Sequence, residues 1–244
     1  MKILLTSCFC DYFERDGREA PSVIIRRGGL LDTVKSIWKN NARVLVIASD
    51  PDDHRGNDEM ARRMLDTFLM SGLSVSSLLV CDGRNTAAAD NLSEVDILFL
   101  SGGHVPTENR FMKRLGLRER LADFDGSVLA LSAGSMNCAD TVYAIPELNG
   151  EATDPRYERW IEGLGLTDIN IFPHYQYLKG LRLDGLLMGE DIAFPDSVGR
   201  EIIALTDGSY ILLADGEKTL HGEAYLIKDG VEYPLTREGE TMRL

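Results

Sequence analysis

The sequence is poor in positive charge and in long apolar runs, and each shortage excludes a class of protein. Its 244 residues carry 26 Lys and Arg against 39 Asp and Glu, a formal net charge of −13. Nucleic-acid backbones are bound by clustered Lys and Arg, so this balance argues against a nucleic-acid partner. No apolar run approaches the roughly 20 residues of a membrane-spanning helix, so no membrane association is expected.

Cysteine is scarce as well, and its spacing matches no zinc motif. The chain has four cysteines, Cys8, Cys10, Cys81 and Cys138, and they do not form the paired clusters of structural zinc sites. No metal site is therefore expected. The first residues form an apolar run too short for a secretory signal. These features together predict a cytoplasmic protein with reduced thiols.

What the sequence does contain is a regular alternation of apolar runs and amphipathic segments. Runs typical of buried strands lie at residues 2–7, 42–48, 74–81, 95–100 and 128–131. Apolar residues at helical spacing lie between them, most clearly from Met60 to Leu69. This alternation is typical of a mostly parallel sheet covered by helices on both faces. The length suits a single α/β domain spanning residues 1–244.

The pattern changes after about residue 200. Short apolar segments at 202–205, 210–213 and 224–227 are separated by the dipeptides Asp207-Gly208, Asp215-Gly216 and Asp229-Gly230. Asp-Gly favours tight turns between antiparallel strands. The sequence therefore predicts an antiparallel hairpin extension of the same sheet, with Asp207 in a turn.

Two loops follow predicted strands at their carboxyl ends, where open parallel sheets build their sites. One is Ser101-Gly102-Gly103-His104, whose paired glycines free backbone amides to face a ligand. The other is Ser132-Ala133-Gly134, small residues typical of a strained turn that exposes a nucleophilic serine. We therefore predict Ser132 as the nucleophile, the amides of Gly102 or Gly103 and of Ala133 as oxyanion donors, and His104 as a substrate contact.

A nucleophilic serine needs a base, and the sequence has only four histidines. His174 follows an apolar run and a proline, Pro173, which fixes the local backbone. His54 in a polar loop and His221 in the hairpin region are interpreted as surface residues. His174 is therefore the predicted base.

A carboxylate usually orients the imidazole of such a base. Glu147, in the segment Ala144-Ile145-Pro146-Glu147, is the favoured candidate. Asp140, Glu151 and Asp154 stay open as alternatives.

Three of these segments together carry a family resemblance. Gly102-Gly103, then Leu131–Ser135, then Phe172–Tyr175 resemble the peptidase E (aspartyl dipeptidase) and cyanophycinase family of serine peptidases. The stretch Ile203–Gly208 extends the resemblance, which covers most of the chain from residue 95 to about 230. It implies a three-layer α/β sandwich similar to the class I glutamine amidotransferase fold, with serine replacing the amidotransferase cysteine.

The resemblance also implies roles for single residues. Ser132 matches the family nucleophile and His174 its general base, while the family's acidic residue after the serine falls on Glu147. An arginine that follows the Pro-His motif recognises the substrate aspartate in peptidase E, and Arg182 lies in the corresponding region. The implied activity is hydrolysis of short peptides, such as those beginning with aspartate, without a metal or an organic cofactor.

The sequence departs from the family pattern in three places. Ala130 stands where family elbows often carry glycine, a position that alanine can also fill. The loop Ser101–His104 stands where the family commonly has Gly-Gly-Gly-Asn, and the segment between Glu147 and His174 is particular to this chain; both of these bear on substrate specificity.

Two other functions are considered. A glutamine amidotransferase-like hydrolase would need a cysteine at the elbow, whereas Cys138 lies beyond Ser132 in the predicted helix. A non-catalytic member of the fold would bind a small acidic ligand or a protein partner. The sequence leaves the oligomeric state open, a homodimer included.

Overall fold

The computed structural model describes residues 1–11, 14–15 and 18–244. Its strands are β1 (Lys2–Thr6), β2 (Glu14–Arg15), β3 (Arg18–Glu19), β4 (Ala42–Ile47), β5 (Val75–Cys81), β6 (Ile97–Leu100), β7 (Ser127–Leu131), β8 (Thr141–Tyr143), β9 (Trp160–Glu162), β10 (Ile171–Phe172), β11 (Arg182–Leu183), β12 (Leu186–Leu187), β13 (Glu201–Leu205), β14 (Tyr210–Ala214), β15 (Glu217–His221), β16 (Ala224–Lys228), β17 (Val231–Thr236) and β18 (Thr241–Arg243). The α-helices are α1 (Leu30–Ile37), α2 (His54–Met70), α3 (Val105–Arg114), α4 (Leu117–Arg120), α5 (Ala133–Asn137), α6 (Tyr175–Leu178) and α7 (Phe194–Asp196). A π-helix covers Met188–Ala193, and short 3-10 turns lie at Arg27–Gly29, Thr86–Ala89, Leu92–Glu94 and Leu121–Asp123.

The central sheet has eight strands in the order β18-β15-β14-β1-β7-β6-β4-β5. Five neighbouring strands of this sheet pair in parallel: β1, β7, β6, β4 and β5. Leu4 lies beside Leu129, and Ile47 lies beside Leu100. Apolar side chains are buried on both faces of these strands, so the sheet has one core above it and one below. The predicted α/β fold with a mostly parallel central sheet is confirmed.

The C-terminal strands divide between two sheets. The hairpin β14–β15, which turns at Asp215-Gly216, extends the central sheet in antiparallel fashion, as predicted. By contrast, β13 and β16 belong to a second sheet of four strands, in the order β10-β13-β16-β17. Asp207-Gly208 is therefore not a hairpin turn, because it connects β13 of one sheet to β14 of the other.

Helices cover both faces of the central sheet. The buried side of α1 packs Leu30 and Val34 into one core, which also contains Phe68 of α2. Phe111 of α3 lies in the core on the other face. No helix of the described residues is long and apolar enough to cross a membrane.

The topology brings polar residues together at the carboxyl ends of the central sheet's parallel strands. Parallel strands β1, β6 and β7 end next to one another, so Ser7, Ser101 and Ser132 follow neighbouring strand ends. The parallel pair β10–β13 of the second sheet places His174 and Asp207 beyond its own strand ends.

Candidate active site

Ser132 lies on a strained turn between β7 and α5. Its φ of 49° and ψ of −113° are unusual for a residue with a side chain, a conformation that costs on the order of 1–3 kcal/mol. Glycines on both sides leave space for this turn. A Cβ added to Gly102 would lie 3.2 Å from the Ser132 Cβ. A Cβ added to Gly134, two residues after Ser132, would lie 2.6 Å from the Leu100 carbonyl oxygen. This is the geometry of a nucleophile elbow.

The end of β1 holds this turn in place. The Ser132 amide donates to the Thr6 carbonyl at 2.9 Å. Ser135, one turn further on, donates from its hydroxyl to the same carbonyl and accepts the Thr6 amide, both at 2.9 Å. Thr6 and Ser135 are fully buried, so the hydrogen bonds that fix the elbow are shielded from water.

His174 faces Ser132 from the second sheet. Its Nε2 lies 3.0 Å from the Ser132 Oγ, within hydrogen-bond distance. The residue has a φ of 54° and immediately precedes α6. Ser132 and His174 both have positive φ values, a sparsely populated backbone conformation for residues with side chains.

The carboxylate that contacts His174 is Asp207. Its Oδ1 lies 2.7 Å from the His174 Nδ1, and the two side chains are 20% and 28% exposed, respectively. Burial by itself would raise the pKa of Asp207, but hydrogen bonds from His174, Ser7 and Gln176 outweigh it, so the pKa lies below its ordinary value. Asp207 therefore carries a negative charge beside the imidazole at neutral pH.

The structure does not place Glu147 in that position, contrary to the expectation. The Glu147 Oε2 accepts the Val105 amide at 3.3 Å, and the Glu147 amide donates to Glu151. Burial raises the pKa of Glu147 to about 7. Its carboxyl thus lies at the start of α3, while the Nδ1 of His174 faces the link between β13 and β14.

The three alternatives for this carboxylate lie elsewhere too. Asp140 pairs with Arg118 at 2.7 Å and Asp154 with Arg156 at 3.2 Å. Glu151 contacts His104 instead of His174.

Sequence reasoning missed Asp207 because Asp-Gly is a strong hairpin signal. One signal would have found it. Asp207 closely follows an apolar strand at its carboxyl end, as Ser101 and Ser132 do, and such positions line the sites of parallel sheets.

The predicted oxyanion donors lie beside the nucleophile. The amides of Gly102 and Gly103 donate to no protein acceptor within the described parts of the chain. Ala133 is the first residue of α5, where backbone amides lack an acceptor in the preceding turn. Gly103 is required sterically, since a Cβ there would lie 2.4 Å from the Ser49 Oγ.

His104 is held by polar partners on both ring nitrogens. Its Nδ1 lies 2.8 Å from the Thr107 Oγ1, and its Nε2 lies 3.0 Å from the Glu151 Oε1. Glu151 in turn accepts the amides of Glu147 and Leu148. His104 therefore ties the glycine-rich loop to the segment that follows Glu147.

Arg182 lies on the exposed hairpin β11–β12, where its guanidinium donates to the Gly185 carbonyl at 2.7 Å. Asp184 of the same hairpin accepts the amides of Gly150 and Ala152. The hairpin is thus anchored to the loop that carries Glu151, which contacts the glycine-rich loop.

The two remaining histidines lie outside this cluster. His54 is exposed at the start of α2, as expected. His221 is half-buried and stacks on Tyr210, with ring centroids 4.5 Å apart. Across residues 1–11 and 20–244, no group of three or more His, Cys, Asp or Glu side chains is arranged to hold a metal ion.

Hydroxyl, imidazole and carboxylate thus lie in one hydrogen-bonded line, an arrangement in which an imidazole can take a proton from a serine hydroxyl. It lies beside backbone amides that are free to hold an oxyanion.

Three comparisons place the chain among proteins of known family or fold. A solved structure of a candidate peptidase E protein from Listeria monocytogenes EGD-e has a TM-score of 0.55 and 15% identity, covering 96% of this chain and 98% of that one. At this identity the likeness shows the fold.

A shorter sequence match involves a pyridoxal 5'-phosphate synthase subunit, PdxT, from Methanoculleus marisnigri. It is 41% identical over 54 residues, which are 22% of this chain and 28% of that protein. The chain thus matches little more than a quarter of that relative's length.

The family comparison is much broader. Residues 30–222, well over half of the chain, match the model of peptidase family S51. This protein therefore belongs to peptidase family S51, a family of serine peptidases.

Proposed function

We propose that this serine peptidase hydrolyses short peptides through a triad of Ser132, His174 and Asp207. One observation carries the proposal: a continuous line of contacts from the Ser132 Oγ to the His174 Nε2 at 3.0 Å, and from the His174 Nδ1 to Asp207 at 2.7 Å. Relays of this kind activate serine for attack on a carbonyl carbon.

In the first half of the reaction, His174 takes the hydroxyl proton as Ser132 attacks the scissile carbonyl. The amides of Gly102 or Gly103 and of Ala133 hold the resulting oxyanion. Asp207 keeps the imidazole in one tautomer and stabilises the imidazolium. The intermediate then collapses, His174 gives its proton to the leaving amine, and an ester on Ser132 remains.

In the second half, His174 removes a proton from water, which attacks the ester carbonyl. The second oxyanion forms at the same amides, and its collapse returns the proton to Ser132 and releases the acid. The reaction balances with water as its only co-reactant.

For the substrate we propose dipeptides that begin with aspartate. Two observations support this choice. The fold matches that of a candidate peptidase E protein. Arg182 has an exposed guanidinium on a hairpin anchored to the loop that carries Glu151, which contacts His104 of the glycine-rich loop. Arg182 would pair with the substrate's side-chain carboxylate.

A panel of Asp-Xaa, Glu-Xaa and Ala-Xaa dipeptides tests the proposal. We expect hydrolysis of Asp-Xaa by the wild type and none by Ser132→Ala, because that variant lacks the nucleophile. Arg182→Ala should lose its preference for Asp-Xaa over Ala-Xaa. Equal turnover by wild type and Ser132→Ala would contradict the mechanism, and a preference unchanged in Arg182→Ala would contradict the role of Arg182.

A further inference from the structure

Ser7 lies between two members of the proposed triad. It directly follows β1 and is fully buried. Its Oγ accepts the backbone amide of His174 at 2.7 Å and donates to the Asp207 Oδ1 at 2.8 Å. The same carboxylate oxygen lies 2.7 Å from the His174 Nδ1. One hydroxyl thus closes a ring of hydrogen bonds through the backbone of His174, its imidazole and Asp207.

A serine hydroxyl is suited to this double role. It has one proton to donate and lone pairs to accept, so it serves a backbone amide and a carboxylate at the same time. Alanine would leave the His174 amide without this acceptor and would remove one donor from Asp207. A buried polar group that loses its partner is costly, so the surrounding backbone would shift to find another.

The backbone of His174 needs such support. Its φ of 54° is unusual for a residue with a side chain, and it lies just before α6 begins. Such conformations persist where surrounding contacts over-determine them. The bond from the His174 amide to Ser7 is one of those contacts, and the direction of the imidazole follows from this backbone.

Thr6, the last residue of β1, supports the backbone of the nucleophile Ser132 in a similar way. The Thr6 carbonyl accepts the Ser132 amide at 2.9 Å. The consecutive residues Thr6 and Ser7 therefore connect the nucleophile elbow on one side to His174 and Asp207 on the other.

We propose that Ser7 is a positioning residue, whose hydroxyl holds His174 and Asp207 in the geometry that lets the imidazole reach Ser132. This role rests on the proposed function. Ser7 acts through its two neighbours, so its loss should slow the chemical step with little change in substrate binding.

The fold contains a matched control in Ser197. This serine is also fully buried, accepts a backbone amide, that of Gly230, at 3.0 Å, and donates to an oxygen, the Phe194 carbonyl, at 2.7 Å. It has the same kind of bonds as Ser7, but they connect α7 to the β16–β17 turn. Replacing it removes a buried hydroxyl without touching the triad.

The test compares Ser7→Ala, Ser7→Thr and Ser197→Ala. We expect kcat for Asp-Xaa hydrolysis to fall on the order of 10²-fold in Ser7→Ala, the effect of a small misplacement of a catalytic group, with KM nearly unchanged. Ser7→Thr, which keeps the hydroxyl, should retain most of the activity. Ser197→Ala should be less stable to urea but have wild-type kcat.

A second measurement needs no turnover. The proton on the His174 Nδ1 should give a far-downfield NMR signal, assigned by its loss in Asp207→Asn, and we expect it to shift or disappear in Ser7→Ala but not in Ser197→Ala. Wild-type kcat and an unchanged signal in Ser7→Ala would overturn the proposal. If the wild type hydrolyses no peptide, the proposed function fails, and the NMR comparison still decides the positioning by Ser7.

Discussion

At the scale of single residues, the site combines strained backbone with buried polar groups. Ser132 and His174 both have positive φ values, 49° and 54°, and their side chains meet because hydrogen bonds to Thr6 and Ser7 hold each backbone. Another unusual residue lies nearby in α3, where the carboxyl of Glu108 is completely buried.

Glu108 should make the stability of the protein depend on pH. Its Oε2 accepts from the Asn137 amide group at 3.0 Å, while its Oε1 has no hydrogen-bond partner among the residues that the structure describes. Burial raises the pKa of Glu108 well above the ordinary 4.5. The folded state therefore keeps this proton at pH values where the unfolded state has released it, and the folded protein loses stability as pH rises above 4.5.

Glutamine does not titrate, so Glu108→Gln should remove this dependence. We expect wild type to lose stability with rising pH while the variant does not. The difference in the free energy of unfolding, variant minus wild type, should therefore increase by up to about 1.4 kcal/mol per pH unit between pH 5 and pH 7. Urea unfolding of both proteins at several pH values measures it. A constant difference across this range would show that Glu108 is ionised in the folded protein.

At the scale of elements, the close approach of α5 to the end of β6 makes Gly134 indispensable. A Cβ at Gly134 would lie 2.6 Å from the Leu100 carbonyl oxygen and 2.7 Å from that of Ser101, both backbone atoms with little freedom to move. At Gly180 an added Cβ meets nothing within 4 Å.

Gly134→Ala should therefore destabilise the protein by about 1–3 kcal/mol, the usual cost of overpacking, whereas Gly180→Ala should be tolerated. Urea unfolding of the two variants beside wild type makes the comparison. Equal stability of Gly134→Ala and wild type would mean that α5 and β6 separate easily.

Elements also explain what the sequence could and could not predict. Ser132 and His174 could be predicted because a local signal marks each of them. Ser132 follows an apolar run and precedes small residues, and His174 directly follows a proline. Asp207 was hidden because its local signal, Asp-Gly, indicates a turn, whereas its role depends on β13 and β14 joining different sheets. Ser7 was hidden for the same reason: its partners, His174 and Asp207, are 167 and 200 residues away in sequence.

At the scale of the whole molecule, the site exists only because the two sheets lie side by side. The central sheet contributes Ser7 and Ser132, and the second sheet contributes His174 and Asp207 at the ends of its parallel pair. The Glu147 carboxyl interacts electrostatically with His174, but its hydrogen bond is to the Val105 amide. In the proposed triad, Asp207 and not Glu147 is the carboxylate that orients His174.

The most direct test is the rate at which a fluorophosphonate probe labels Ser132 in wild type, Asp207→Asn and Glu147→Gln, with the labelled residue located by peptide mass spectrometry. We predict labelling of Ser132 in wild type, a loss of rate on the order of 10³- to 10⁴-fold in Asp207→Asn, and a far smaller change in Glu147→Gln. Rapid labelling of Asp207→Asn together with slow labelling of Glu147→Gln would contradict the account, and absence of labelling in wild type would contradict the proposed nucleophile.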